Sequence, residues 1–297
     1  MHRDFNKEPL TFHAQVKLLE SRNLRFSDKD EALSFLARVS YYRVCAYRFY
    51  FEDKPGSDWF RDGTDFKHLM RLYEFDRLLR LLVMNMCERV EVLLRAQITY
   101  VHSHKYGKFG YLDRRNFAGN FDYDDWFTQV QHEVGKSKEV FVQDFFEKHP
   151  KYKNLPWWMF SEIISFGKLS WVYTGMKPED KLTISQSNFG IAAKLLSWWL
   201  HSLVYVRNIC AHHSRLFNRR LAISPSPHTQ DKLWTTDGKK LFDVLMVFKY
   251  LLADDVLFAN YIRELDALLK TYPEIEVKAM GFPPHWRQAF EAKRGRS

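Results

Sequence analysis

Cysteine is nearly absent from this chain. Its 297 residues include only Cys45, Cys87 and Cys210. They stand far apart and form no C-x-x-C pair, which excludes a disulfide framework or a cysteine-rich zinc site within one chain. A reducing, cytoplasmic setting is the expectation. Glycine (12) and proline (10) are also sparse, so collagen-like and low-complexity classes are excluded. Long apolar runs are missing as well. LLRLLVMNM from Leu78 and LLSWWLHSLVYV from Leu195 are broken by Arg, Asn, Ser or His, well short of the roughly 20 apolar residues that span a bilayer. The opening MHRDFNKEPLTF has no signal-peptide core, and no membrane association is expected. The sequence contains neither a G-x-x-x-x-G-K-[ST] phosphate loop nor G-x-G-x-x-G, which leaves nucleotide-hydrolysing and dinucleotide readings without support.

Aromatic residues, by contrast, are plentiful. Twenty-five Phe, fifteen Tyr and nine Trp supply the apolar payload of a large core, and the length suits one large domain or two modest ones. Lys and Arg (45) outnumber Asp and Glu (36), for a net charge of +9. That balance favours an anionic partner, although 36 acids are too many for a purely electrostatic tail protein.

The pattern is helical throughout, with no competing alternating segment, and predicts an all-α fold. Residues 9–51 read as two short helices, with Ser27 and Asp30 forming a capping box. Tyr41–Phe51 is dense in aromatic and basic residues, weighed between a core and a base-stacking role. Residues 53–63 are a loop. Thr64–Lys105 contains no Pro or Gly and keeps a 3.6-residue rhythm through Leu79, Leu82, Val83, Met86, Val90, Leu93, Leu94 and Ile98. This is the longest helix, ended by Gly107 and Gly110. Helices are also expected over 124–149, 157–173, from Pro178 onward, over 192–216, 239–252 and 256–271. The expected organisation is an N-terminal helical region (1–63), a helical domain (64–272) and a basic tail (273–297) carrying Lys293, Arg294 and Arg296.

One segment carries chemistry. From Lys181 to Gln230 there is no Asp or Glu, while Lys181, Lys194, Arg207, Arg215, Arg219 and Arg220 are basic. On a helix, His201, Tyr205, Asn208, His212, Arg215 and Arg219 form one polar stripe. Leu196, Leu200, Leu203, Val206 and Cys210 form the adjoining apolar one. Imidazole takes or gives a proton near neutral pH. Guanidinium groups bind phosphate through a fork of donors and stabilise charge on a pentavalent phosphorus, and Asn orients a ring or a ribose hydroxyl. The set suffices for RNA cleavage by the ribose 2′-hydroxyl with no cofactor or metal. It also suits a basic face that only holds nucleic acid or acidic side chains. Glu88, Arg89, Glu91 and Arg95 read as structural, Glu91–Arg95 being an i,i+4 pair, with Glu88 a candidate to reach Arg207. His102 and His104 diverge on a helix end, so no metal site is expected there.

Arg207-Asn208-Ile209-Cys210-Ala211-His212 resembles the R-x(4–6)-H motif of HEPN-type ribonucleases. The wider string RNICAHHSRLFNRRL resembles more specifically the bacterial abortive-infection (Abi) family of the AbiD/AbiF type. PLTFHAQVKLLESRNL at Pro9, YYRVCAYRFYF at Tyr41, YEFDRLLRLLVMNMCERVEVLLR at Tyr73, KYGKFGYLD at Lys105 and WWMFSEIISFGKLSWVY at Trp157 agree in order. The likeness covers roughly residues 9–270, with Cys45 as a departure. It implies an HEPN-like helical bundle with additional N-terminal and C-terminal helices. It also implies a phage-defence, toxin-like endoribonuclease that needs no metal. Arg207 and His212 would carry the catalytic roles, with Asn208 at the motif's polar position. His213, Arg215, Arg219 and Arg220 would bind RNA. One motif per chain implies a homodimer with a composite site. The family further suggests a small noncoding RNA as restraint, in the manner of a toxin–antitoxin pair. The alternative is a non-catalytic module that holds such an RNA or another partner.

Overall fold

In the computed structural model, residues 8–234, 239–252 and 255–292 are described. They form thirteen α-helices and a few 3-10 turns. Among them there is no β-strand, only isolated bridges. The all-α expectation therefore holds. Among the described residues no single helix is long and apolar enough to cross a membrane. The expected basic tail residues Lys293, Arg294 and Arg296 lie outside the described residues.

The chain divides into two compact units, Met1–Arg80 with Ala267–Ile275, and Leu81–Asp266 with Glu276–Ser297. In the first, α1 (Phe12–Glu20) and α2 (Lys29–Val39) pack together. Val16, Leu19, Leu24, Ala32, Leu36, Val44, Phe60, Phe66 and Leu69 make one core cluster. The cap of α2 differs from the expected Ser27–Asp30 box. Asp28 accepts from Glu31 N at 2.8 Å, while Ser27 N and Oγ bond the Asp65 carboxylate. A side chain distant in sequence thus takes Ser27 and leaves the capping to its neighbour. The aromatic segment forms a third short helix, α3 (Tyr41–Cys45). Tyr42 on it is almost wholly exposed, whereas Tyr47 beyond it is buried. Tyr47 Oη donates to Asp76 Oδ2 at 2.6 Å, and Arg80 pairs with the same carboxylate. Burial and that carboxylate hold the Tyr47 hydroxyl protonated far above its usual range.

The longest helix, α4 (Phe66–Tyr106), ends as expected at Gly107, whose φ of +80° only glycine adopts without strain. Beyond Arg80 it contributes Val83, Met86, Cys87, Val90, Leu94, Ile98 and His102 to the core of the second unit. The expected 124–149 helix is two, α5 (Tyr123–Gly135) and α6 (Val140–Lys148). The expected 157–173 helix is also two, α7 (Trp157–Ile163) and α8 (Phe166–Gly175). The break at Ile164–Ser165 is held from outside. Glu133 accepts from Ser165 N at 3.0 Å, and Arg95 donates to Ile164 O at 3.1 Å. These bonds replace the helical ones that local sequence would favour.

Helix α9 (Pro178–Phe189) starts on the expected Pro and ends at Gly190 in the left-handed region. Helix α10 (Ala193–Ala211) packs on α8 and α9. Helix α11 (Leu241–Leu251) is buried along its whole length, which requires partners for its polar side chains. Lys249 pairs with Asp231 at 2.9 Å, and Asp243 accepts from Trp234 Nε1 at 3.0 Å. Helices α12 (Asp255–Thr271) and α13 (Trp286–Glu291) complete the element order. The Trp pairs divide: Trp157 and Trp199 are buried, Trp158 and Trp198 half-exposed.

Candidate functional site

Helix α10 presents the two expected stripes. Leu196, Leu200, Leu203, Val206 and Cys210 are buried, while His201, Asn208 and His212 face solvent. The helix stops at Ala211, however, not at 216. His213 N bonds Cys210 O (3.1 Å) and Ser214 N bonds Ile209 O (3.0 Å). His213 itself has φ +56°. This is a Schellman ending with a non-glycine residue in the left-handed position. His is among the few side chains that tolerate it, and nothing in a helical periodicity announces it. Arg215 and Arg219 are therefore not on the helical stripe.

Beyond the reversal the chain folds back along α10. Tyr205 Oη accepts from Ala222 N at 3.5 Å, and the indole nitrogens of Trp198 and Trp199 donate to Ser224 O and Ser226 O at 3.0 and 2.8 Å. The returning turn is pinned by its own cations. Arg215 Nη1 donates to Phe217 O at 2.5 Å, and Arg219 Nη1 to Arg215 O at 3.1 Å. Asn218 accepts from Lys240 at 2.6 Å. Arg220 is exposed, as is His213. The helix end thus carries Arg207, Asn208 and His212 within six residues of one another, and the basic residues 215–220 lie on the turn that follows.

Arg207 is one-third exposed. Its Nη1 lies 3.5 Å from Asn208 Oδ1, and its Nε lies 4.0 Å from Glu91 Oε2. Glu91 in turn bonds Arg95 at 2.9 Å, and Arg95 lies 3.7 Å from Glu162. Charges therefore alternate from α10 through α4 to α7. Among the described residues, the buried Nε atoms of Arg207 and Arg95 find no hydrogen-bond acceptor. A small shift of Arg207 toward Glu91 would supply one. Burial raises the Glu91 carboxyl above its ordinary value, against the pull of the Arg95 and Arg207 charges. Sequence reasoning offered Glu88 as the acid that reaches Arg207. Glu88 is 60% exposed and turned to Arg89, whereas Glu91 is only 15% exposed. The available signal was the flanking pair Cys87 and Leu94, both buried, which puts Glu91 at the inner edge of α4. Cys210 and Cys87 are both buried. Burial pushes the Cys87 thiol well up, leaving it a poor nucleophile.

Among the described residues no group of three or more His, Cys, Asp or Glu side chains converges as a metal site. His102 is fully buried among Tyr106, Phe117 and Trp157. Burial pulls its pKa down to about 4. His104 is exposed, its Nδ1 2.8 Å from Tyr100 O.

A family model described as Abi-like protein matches residues 34–218. That span runs from α2 through the whole of α10 and the turn behind it. No curated protein matches, and no solved structure matches.

Proposed function

The chain belongs to the Abi-like family, whose name marks abortive-infection defence against phage, and from that premise we propose that it is the effector, an endoribonuclease of HEPN type that cleaves RNA without a metal. The observation that carries this reading is the helix end itself. Arg207, Asn208 and His212 sit together at the solvent-facing end of α10, with Arg207 steadied by Asn208 and Glu91.

In this mechanism His212 takes the proton from the ribose 2′-hydroxyl as its oxygen attacks the adjacent phosphorus. The O2′–P bond forms and the P–O5′ bond breaks. A second imidazole protonates the leaving 5′-oxygen. The Arg207 guanidinium stabilises the charge that develops on the phosphorane oxygens. Asn208 orients Arg207 or the ribose. The products are a 2′,3′-cyclic phosphate and a 5′-hydroxyl. One chain supplies one motif, so the second imidazole comes from another copy, in a homodimer with the α10 ends near its two-fold axis. Arg215, Arg219 and Arg220, with His213, line the approach for further phosphates. A small restraining RNA would engage the same basic turn.

The test is cleavage of single-stranded RNA in EDTA by the purified full chain. General acid–base groups contribute about 10²–10⁴-fold, so His212→Ala loses that factor while RNA binding persists. Arg207→Lys rescues poorly, because a point charge does not reproduce the fork. Asn208→Ala is milder. DNA and 2′-O-methyl RNA are not cut, since the nucleophile is missing. A His212→Ala protein that cuts RNA at the wild-type rate removes the nuclease assignment and leaves the RNA-holding module.

A further inference from the structure

Alongside α10, away from the Arg207–His212 end, lies a wide cleft of the second unit. It has a volume of about 1220 Å³ and runs between α8, the first half of α10 and the segment 226–230. Its wall includes Trp171, Trp198 and Val204, its cations are Lys168 and Lys194, and among the described residues no Asp or Glu lines it. Trp198 is 48% exposed, and its Nε1 is tied to Ser224 O, so the plane of the indole is fixed while much of it stays open. The His201 ring stands edge-on to it at 6.2 Å. Lys168 lies over Trp171, 5.0 Å from the ring centre, and Lys194 is exposed at the mouth. His228, stacked on Tyr250, lies deep in the cleft, where burial lowers its pKa.

This combination is selective. Fixed aromatic surface with unopposed ammonium groups fits a planar ring that carries a negative charge beside it. The volume exceeds the roughly 300–1,000 Å³ of ordinary small-molecule sites, as a segment of polymer requires. The cleft also shares a helix face with the motif. His201 and His212 are eleven residues apart on α10's polar stripe, about 16 Å at 1.5 Å per residue.

We propose that this cleft holds an unpaired nucleotide of the RNA strand whose scissile phosphate lies at Arg207 and His212, its base against Trp198 and its phosphates on Lys194 and Lys168. The choice of RNA as ligand rests on the ribonuclease reading above. A duplex keeps its bases stacked inside and offers no face to Trp198. The cleft therefore selects single-stranded segments, loops or ends, where bases are free to stack on aromatic side chains.

The experiment measures fluorescence anisotropy of a labelled single-stranded RNA oligonucleotide, and of the same strand in a perfect duplex, on the full chain carrying His212→Ala so that the probe stays intact. The single strand is expected to bind more tightly than the duplex. Adding Trp198→Ala is expected to weaken single-strand binding about ten- to a hundredfold, the loss typical of one stacked base. Lys194→Glu, at an exposed position, is expected to weaken it and to flatten its salt dependence. Trp158→Ala, half-exposed on α7, leaves it unchanged. Equal affinity for duplex and single strand overturns the proposal. So does undiminished binding by Lys194→Glu, which decides the matter if Trp198→Ala fails to fold. Cleavage by the otherwise wild-type chain separates the two readings. Normal cutting by both cleft variants leaves the nuclease standing and removes the cleft. Strand binding that depends on Trp198, with no cutting by the wild type, keeps the cleft and removes the nuclease.

Discussion

Replacing Glu91 with Gln separates the stability of the α4–α10 contact from its role in placing Arg207. Two effects oppose each other at this side chain. The carboxylate faces Arg95 at 2.9 Å and Arg207 at 4.0 Å, which favours its charge. Its burial disfavours the charge, and burial prevails, since the carboxyl is raised above its ordinary value. A carboxyl raised on folding contributes stability that is fully present below its unfolded value and is lost as pH rises through the folded one. At neutral pH the ionised form is thus the less comfortable one for the fold, and Glu91→Gln leaves stability equal to wild type or slightly higher. Arg207 responds differently. At 4.0 Å and an effective dielectric near 20, the attraction to Glu91 is about 4 kcal/mol. With Arg207 one-third exposed, solvent screening reduces this to about 1–2 kcal/mol. Losing it releases the guanidinium from its held position about ten-fold, since 1.4 kcal/mol is a factor of ten. The expected result is a urea midpoint at or above the wild-type value, together with a cleavage rate down about ten-fold at pH 7. Wild-type cleavage by Glu91→Gln would show that Glu91 does not place Arg207. A loss of more than about 2 kcal/mol in stability would show that the ion pairs outweigh burial and that the sign was wrong.

Three further outcomes are expected. His213→Gly relieves the left-handed backbone and raises stability by up to about 1 kcal/mol, whereas His213→Val, β-branched at positive φ, lowers it by about 1–2 kcal/mol; urea titration that ranks Val above Gly refutes the Schellman assignment. His102 is held neutral by burial with a pKa of about 4, so its contribution is complete above pH 6.5 and is lost progressively as pH falls toward 4. About 3 kcal/mol is involved. In His102→Phe that part of the acid dependence disappears from thermal melts between pH 4 and 7. A Cβ on Gly175 would lie 2.3 Å from the Phe121 ring, which is itself packed against Phe117 and Trp126. Gly175→Ala therefore costs about 1–3 kcal/mol by overpacking, and an unchanged melting temperature would count against that packing.

Where local chemistry decides, the sequence was a sufficient guide. The Pro- and Gly-free rhythm of residues 64–105 is α4, Pro178 opens α9, and the apolar stripe of α10 is buried as spaced. Where distant side chains decide, it was not. The break before α8 depends on Glu133 and Arg95, which lie 32 and 69 residues from the positions they bond. The end of α10 depends on one backbone angle at His213, so the helical spacing overruns the observed end by five residues, to 216, and draws Arg215 and Arg219 into the stripe. The placing of Arg207 and Asn208 on the last turns of α10, with His212 as its cap, was legible because spacing along one helix suffices for it. The acid beside Arg207 was not, because choosing Glu91 over Glu88 needs the rotation of α4 against α10. The cleft at Trp198 was hidden for a related reason: the two halves of a Trp-Trp pair look alike until burial distinguishes them.

Helix α11 has no solvent face. A helix apolar on every side is stable only when enclosed, and α10 supplies part of the enclosure, with Trp199 and Tyr250 rings 5.4 Å apart. During synthesis this imposes an order of events. The Arg207–His212 segment leaves the ribosome about forty residues before Leu251, a lag of about 2–8 s at ordinary elongation rates of 5–20 residues per second. Throughout that interval α10 has α8 and α9 to pack on but lacks the face that α11 supplies. The core around α11 is therefore closed only after the Arg207–His212 segment has found its first neighbours.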